Sequence, residues 1–149
     1  MALGKELVTY EISGNLRLQH EGLAVVKAIP GDFGIKVIAA VGPGRIGKSS
    51  LLNQLSRKDS FGVGSTTRRV TKGIWIDVIL DYATRIATVF IDVEGFGDPD
   101  RDDASASDSR LMFIVCQMCD VVIYNTKGVY DTDLVRKLEY PFGYKYLMV

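Results

Sequence analysis

One short stretch limits the possible folds of this 149-residue chain more than any other. Val41–Leu55 reads VGPGRIGKSSLLNQL and contains the pattern Gly-x-x-x-x-Gly-Lys-Ser, which runs from Gly42 to Ser49. The run before it, Gly34–Val41, is almost continuously apolar, as is typical of a strand buried on both faces. Apolar residues then recur at helical spacing, at Leu51, Leu52 and Leu55. A buried strand, a glycine-rich turn and a helix, in that order, indicate a phosphate-binding P-loop.

This pattern predicts a role for most residues of the loop. Glycines allow successive backbone N–H groups to turn toward phosphate oxygens, and the N-terminus of the following helix adds further N–H groups and a positive dipole end. Lys48 is expected to reach the β- and γ-phosphates, and the Ser49 hydroxyl is expected to bind Mg²⁺. The residues predicted to bind nucleotide in this segment are Gly42, Gly44, Arg45, Ile46, Gly47, Lys48, Ser49 and Ser50.

A second acid is needed at the end of a neighbouring strand to complete the Mg²⁺ shell. The apolar run Arg85–Val93 ends in Ile-Asp-Val and is followed by Glu-Gly, which places Asp92 at the required position. We predict that Asp92 binds the metal, that Gly95 offers its N–H to the γ-phosphate, and that Glu94 positions a water indirectly. The alternative is that Asp92 only ends a strand. Two motifs in the right order on suitable elements favour the site.

The order of elements along the chain predicts an α/β fold. Gly73–Leu80 and Arg85–Val93 have strand character and are predicted to pair as an antiparallel hairpin. The remaining predicted elements are a strand over Glu6–Ile12, a helix over Glu21–Ile29, an acidic loop over Asp98–Ser109, a helix over Arg110–Cys119, a strand over Val121–Asn125 and a helix over Tyr130–Tyr140. Strands that alternate with helices indicate a mostly parallel sheet, here with one antiparallel excursion.

Composition limits the other classes of protein to which the chain could belong. Lys+Arg and Asp+Glu each number 18, so the chain has no broad basic surface for nucleic acid. No apolar run reaches the 18 residues of a membrane span, and the N-terminus lacks a secretion signal, so a cytoplasmic protein without membrane association is expected. Cys116 and Cys119 form a Cys-x-x-Cys inside an apolar run, which we interpret as buried structural thiols.

Three segments together resemble the guanylate-binding proteins, a family of dynamin-like large GTPases. They are GPGRIGKSSLLNQL from Gly42, TKGIW from Thr71, and DVEGFGD from Asp92. EISGNLRLQHEGLAVVKAI resembles the start of that family's GTPase domain, and FIVCQMCDVVIYNTKG resembles its later helix and strand. The resemblance runs from Val8 to Glu139. It implies one partial GTPase domain over residues 1–149, a three-layer P-loop NTPase sandwich, Mg²⁺ as cofactor and GTP as ligand or substrate.

The resemblance also implies catalytic roles. Arg45 matches the arginine finger that the family carries in cis, where it stabilises charge on the transferring phosphate. Thr71 matches the switch threonine that closes on Mg²⁺, and Glu94 lies in the acidic switch. The alternative for Arg45 is a solvated loop charge. The implied catalytic residues are Arg45, Lys48, Thr71 and Glu94, and the metal-binding residues are Ser49, Thr71 and Asp92.

Two differences from the family leave two functions open. Arg69 stands where the family has a serine that helps to organise the attacking water. The family's guanine-recognising Thr-Leu-Arg-Asp segment does not occur, so a fold truncated at its C-terminus is expected and base choice is not specified. The first hypothesis is Mg²⁺-dependent GTP hydrolysis. The alternative is a non-hydrolysing interaction module that forms a homo- or heterodimer with full-length relatives through the GTPase domain.

Overall fold

A computed structural model describes residues 4–11, 15–42, 47–62, 73–93 and 104–125. Six strands and three helices lie within these ranges. Their bounds are β1 Lys5–Tyr10, β2 Leu16–Leu18, α1 His20–Lys27, β3 Gly34–Val41, α2 Lys48–Ser56, β4 Ile74–Asp81, β5 Ile86–Val93, α3 Ala104–Met118 and β6 Val121–Tyr124. The predicted helix over Tyr130–Tyr140 lies outside the described residues.

The six strands form one mixed sheet in the order β2-β1-β4-β5-β3-β6. β3 pairs in parallel with β5 and with β6, whereas β4 pairs antiparallel with β5 and with β1. β1 also pairs antiparallel with β2, so β1, β3, β5 and β6 run in one direction and β2 and β4 in the other. The predicted α/β class with a mostly parallel core is confirmed. β4 is the predicted antiparallel excursion, and β2 adds a second one at the edge that the sequence did not predict.

Two faces of the sheet carry different helices. Alternate residues of β3, β4 and β5 form one large core cluster with side chains of α3, against which residues of α1 pack. The other face, which we call the α2 face, carries Ala40, Trp75, Asp77, Phe90 and Asp92. Its core cluster joins Ala40 and Phe90 to Leu52 of α2 and to Phe61 just beyond that helix. The described elements therefore form three layers, with α1 and α3 on one side of the sheet and α2 on the other.

One boundary was predicted wrongly. The acidic segment Asp98–Ser109 was expected to be a loop throughout, but α3 begins at Ala104 and includes its last six residues. Alanine is the strongest helix former, and Ala104 and Ala106 fall in this first part of the helix. The second half of α3 is well packed, because Leu111, Val115 and Cys116 are buried against the sheet. The helix continues from this half toward its N-terminus at Ala104.

Close packing around β1 depends on glycine at two positions. A Cβ added at Gly22 of α1 would lie 2.5 Å from the carbonyl oxygen of Glu6. Gly73, directly before β4, has φ +90, and a Cβ there would lie 2.0 Å from the carbonyl oxygen of Val8. Both positions admit only a residue without a side chain, because the neighbouring atoms are backbone and not the movable end of a side chain. Among the described helices, none is long and apolar enough to cross a membrane.

Candidate functional site

The predicted P-loop lies between β3 and α2, at the end of β3 where its two parallel neighbours also end. Gly42 has φ +136 and Gly47 has φ +86, both in the region that favours glycine. Gly47 precedes Lys48, the first residue of α2. The two glycines at either end of the motif are therefore required by the backbone path, as the phosphate-loop interpretation predicts.

Lys48 is 7% exposed at the start of α2. A buried ammonium is costly, and the positive end of a helix dipole makes a cation less favourable there. An anionic ligand at the helix N-terminus would interact favourably with the helix dipole, with backbone N–H groups of the first turn and with the ammonium.

A hydrogen bond joins this helix to the sheet. The Ser49 hydroxyl donates to Oδ2 of Asp92 at 2.5 Å, and Asp92 is 1% exposed. A separation of 2.5–2.7 Å is expected for a hydroxyl that donates to a carboxylate. Asp92 lies on β5 between Ala40 of β3 and Trp75 of β4, its direct partners in the sheet. Because the Ala40 side chain is small, α2 can approach the carboxylate closely.

The Ser49–Asp92 pair suits Mg²⁺. The described residues contain no group of three or more His, Cys, Asp or Glu side chains that could hold a metal ion. Mg²⁺ in phosphate-binding enzymes is commonly held by one or two protein oxygens together with phosphate oxygens and waters. A serine hydroxyl and a carboxylate at the N-terminus of α2 provide two such oxygens beside the place where the helix favours an anion.

The structure describes about half of the predicted site. Gly42, Gly47, Lys48, Ser49 and Asp92 lie together at the start of α2 and the end of β5. Ser50, also predicted to bind nucleotide, is partly buried in the first turn of α2. The predicted residues that lie outside the described ranges are Gly44, Arg45, Ile46, Thr71, Glu94 and Gly95.

A buried polar contact beyond the C-terminus of α2 was missed by the sequence analysis. Ser60, which is 0% exposed, donates its hydroxyl to Oδ2 of Asp77 at 2.5 Å, and Nζ of Lys58 lies 3.7 Å from the same oxygen. The Asn53 side chain donates to the carbonyl of Phe61 and accepts from its N–H, both at 2.9 Å. These contacts fix the segment after α2 to the sheet. The available signal was Asp77 itself, a lone carboxylate inside the apolar run of β4.

The two cysteines are buried, as predicted. Cys116 and Cys119 are 5% and 8% exposed, and they belong to the core cluster between α3 and the sheet. The pKa of each thiol is raised to about 12, mainly by burial, and for Cys119 also by the nearby Cys116 and Asp120. Both thiols are therefore protonated at neutral pH, which agrees with a structural role.

Comparison with known proteins identifies the family. The model of the guanylate-binding protein N-terminal domain matches residues 13–143. Guanylate-binding protein 5 of Mus musculus is 35% identical over 127 residues, which cover 84% of this chain and 21% of that protein. Guanylate-binding protein 7 of Homo sapiens is 31% identical over 139 residues, which cover 92% of this chain and 21% of that protein.

A solved structure is more distantly similar. A chain of the GTP-bound crystal structure of T. brucei IFT22/74/81 matches with a TM-score of 0.41 and 17% identity, over 72% of this chain and 56% of that one. The chain spans about a fifth of the length of the two curated relatives, 21% in each case. The match to this family and to the two curated relatives is consistent with the P-loop interpretation of the loop before α2. This chain belongs to the guanylate-binding protein family, a family of GTP-binding GTPases, and matches its N-terminal domain.

Proposed function

We propose that this chain binds GTP together with Mg²⁺ and hydrolyses it, as a partial GTPase domain over residues 1–149. The observation that carries the proposal is the Ser49–Asp92 hydrogen bond at the N-terminus of α2. This bond brings together the two motifs from which the phosphate site was predicted, the P-loop and the aspartate at the end of β5. Family membership supports guanine nucleotide as the ligand.

The proposed mechanism relies mainly on positioning and charge. The N–H groups of the first turn of α2 hold phosphate oxygens, and Lys48 draws the β- and γ-phosphates into its buried position. Ser49 and Asp92 are the residues that would hold the metal ion. When bound, Mg²⁺ supplies positive charge that offsets the charge developing on the phosphate. Asp92 accepts from the Ser49 hydroxyl, which fixes the orientation of the serine side chain at the start of α2.

Four residues outside the described ranges complete the proposal. Arg45 would stabilise the charge on the γ-phosphate in the transition state, and Thr71 would add a second hydroxyl to the metal. Glu94 would position the attacking water indirectly, and Gly95 would offer its N–H to the γ-phosphate. These roles rest on the P-loop pattern and on the resemblance of GPGRIGKSSLLNQL, TKGIW and DVEGFGD to the family. We further propose that the protein acts in the cytoplasm.

Binding and turnover measured on the full chain test the proposal. We expect calorimetry to detect Mg²⁺-dependent GTP binding, and Lys48→Ala to weaken it about 10- to 150-fold, which corresponds to a charge-assisted hydrogen bond of about 1.5–3 kcal/mol. The matched control is Lys36→Ala, since Lys36 is an exposed lysine near the opposite end of β3. Absence of GTP binding at millimolar nucleotide would contradict the proposal, as would equal affinities of the two variants.

A second function is favoured by one residue. Arg69 occupies the position where the family has a water-organising serine. In this alternative the chain would not hydrolyse GTP, would bind nucleotide weakly or not at all, and would act by pairing with full-length relatives through its GTPase domain. Single-turnover GTP hydrolysis by wild type and Arg69→Ser separates the two functions. Turnover by the wild type well above that of Lys48→Ala supports the enzyme. Turnover that arises only in Arg69→Ser supports the interaction module, which sedimentation with and without GTP would then test for dimers.

A further inference from the structure

The only tryptophan of the chain lies beside the candidate phosphate site. Trp75 of β4 is the direct antiparallel partner of Asp92. Directly opposed residues of an antiparallel pair project to the same face, with Cβ atoms about 4.5–5.5 Å apart. The indole therefore lies on the α2 face, where it packs against the cluster that includes Leu52 and Phe61. One neighbour on this face is the carboxylate that anchors the P-loop helix.

The indole N–H has no partner in the described part of the chain. Nε1 of Trp75 is buried and makes no hydrogen bond to any of the described residues. Two carboxylates flank Trp75 on the same face, Asp92 across the ladder and Asp77 two positions along β4. Each of these carboxylates already accepts from a serine hydroxyl at 2.5 Å. Both same-face neighbours of Trp75 therefore carry carboxylates, and neither accepts from its indole N–H.

A buried donor without an acceptor is unfavourable, because it has lost its hydrogen bonds to water and gained none in return. Such groups are rare in folded proteins and call for a specific explanation. Phenylalanine would supply an aromatic ring to the same apolar cluster without the N–H. The position of the donor next to the Ser49–Asp92 pair suggests that the ligand-bound protein uses it.

We propose that Trp75 is a positioning residue of the phosphate site, whose indole N–H takes an oxygen acceptor when Mg²⁺ and nucleotide are bound. The inference rests on the proposed nucleotide function. The acceptor is an anionic or strongly polarised oxygen, since a charge-assisted bond best offsets the loss of water. It comes either from the Asp92 carboxylate, re-aimed when Ser49 and Asp92 meet the ion, or from the phosphate group of the nucleotide.

The single tryptophan makes the donor directly observable. A ¹⁵N-labelled chain gives one indole N–H resonance, and Trp75→Phe identifies it by its disappearance. The resonance is recorded without ligand, with Mg²⁺ alone, with GTP and a chelator, and with Mg²⁺ and GTP together. We expect a downfield shift of the indole proton in the last condition. A shift with GTP and a chelator assigns the acceptor to the phosphate, whereas a shift that requires Mg²⁺ assigns it to Asp92.

A second measurement excludes a purely structural role for the ring. Benzothienylalanine, which replaces the indole N–H by sulfur in a ring of nearly the same shape, can be incorporated at this one tryptophan. We expect Mg²⁺-dependent GTP affinity to fall about three- to tenfold, the range for one lost hydrogen bond, while the midpoint of urea unfolding without ligand does not fall. Ile79→Val is the matched control, since it loosens packing in the same cluster without removing a polar group.

The outcomes separate this inference from the proposed function. If calorimetry detects Mg²⁺-dependent GTP binding but the indole resonance does not move, the N–H is not used by the ligand and the inference is wrong while the proposed function stands. The same conclusion follows if the sulfur analogue binds GTP as tightly as the native chain. If the native chain does not bind GTP, both are wrong. A downfield shift together with weaker binding by the analogue supports the inference.

Discussion

Replacement of Gly73 by alanine tests the most closely packed contact of the sheet. The added Cβ would lie 2.0 Å from the carbonyl oxygen and 3.0 Å from the carbonyl carbon of Val8, and 3.2 Å from Cα of Thr9. The backbone at φ +90 costs an L-residue about 1–2 kcal/mol, and overpacking against atoms that cannot rotate away costs about 1–3 kcal/mol. We therefore expect Gly73→Ala to lower the free energy of unfolding by about 2–5 kcal/mol, the sum of these terms.

Gly31→Ala is the control for this measurement. No atom lies within 4 Å of a Cβ added at Gly31. Both substitutions restrict the unfolded chain equally, by about 0.4–1 kcal/mol, so the difference between the two variants isolates the clash and the backbone strain in the folded state. Urea unfolding followed by far-UV circular dichroism measures the midpoints, with the slope checked for two-state behaviour. If the two variants unfold within about 0.5 kcal/mol of each other, within the usual spread of neutral surface changes, β1 does not approach β4 as described.

The remaining predictions concern buried polar groups and thiols. Ser60→Ala removes the hydroxyl that donates to Asp77 and leaves the Lys58 ammonium, at 3.7 Å, as the contact of this carboxylate among the described residues. The free energy of unfolding should therefore fall by about 1–3 kcal/mol. An unchanged urea midpoint would contradict this. Burial raises the pKa of Cys116 and Cys119 to about 12. Iodoacetamide at pH 8 should therefore alkylate these thiols far more slowly in the native chain than in the urea-unfolded chain. Equal rates would refute their burial. Since these thiols ionise near their ordinary value of 9.0 when unfolded, their contribution to stability should be complete below pH 9 and should be lost between pH 9 and about 12. A double alanine variant should show a smaller decline over that range.

Local patterns predicted the elements that carry the phosphate half of the site. The apolar run of β3, the glycines of the loop and the leucines of α2 are contiguous, and each obeys a rule that acts within a few residues. Gly34–Val41 was predicted as a strand and has these bounds. The hairpin of β4 and β5 was predicted for the same reason, since two apolar runs flank a short turn.

Contacts between distant segments were not predictable in this way. β2 is only three residues long, with its last two residues exposed, so its alternation of apolar and polar residues is too short to indicate a strand. Its place in the sheet depends on β1, which pairs with it on one side and with β4 on the other. The Ser60–Asp77 bond likewise joins residues 17 positions apart on different elements. Such contacts follow from how the layers meet, for which a single sequence offers no short-range signal.

The register of three strands decides whether a phosphate site exists at all. Asp92 is aligned with Ala40 on one side and with Trp75 on the other, and this alignment directs its carboxylate to α2. A slip of one residue in β5 would direct the carboxylate to the opposite face, into the apolar cluster of Val41, Ile74 and Val93. The same slip would direct apolar side chains of β5 toward Ser49 and Lys48. The apolar pattern that stabilises the sheet therefore also places the carboxylate, so that folding and ligand binding depend on the same pairing.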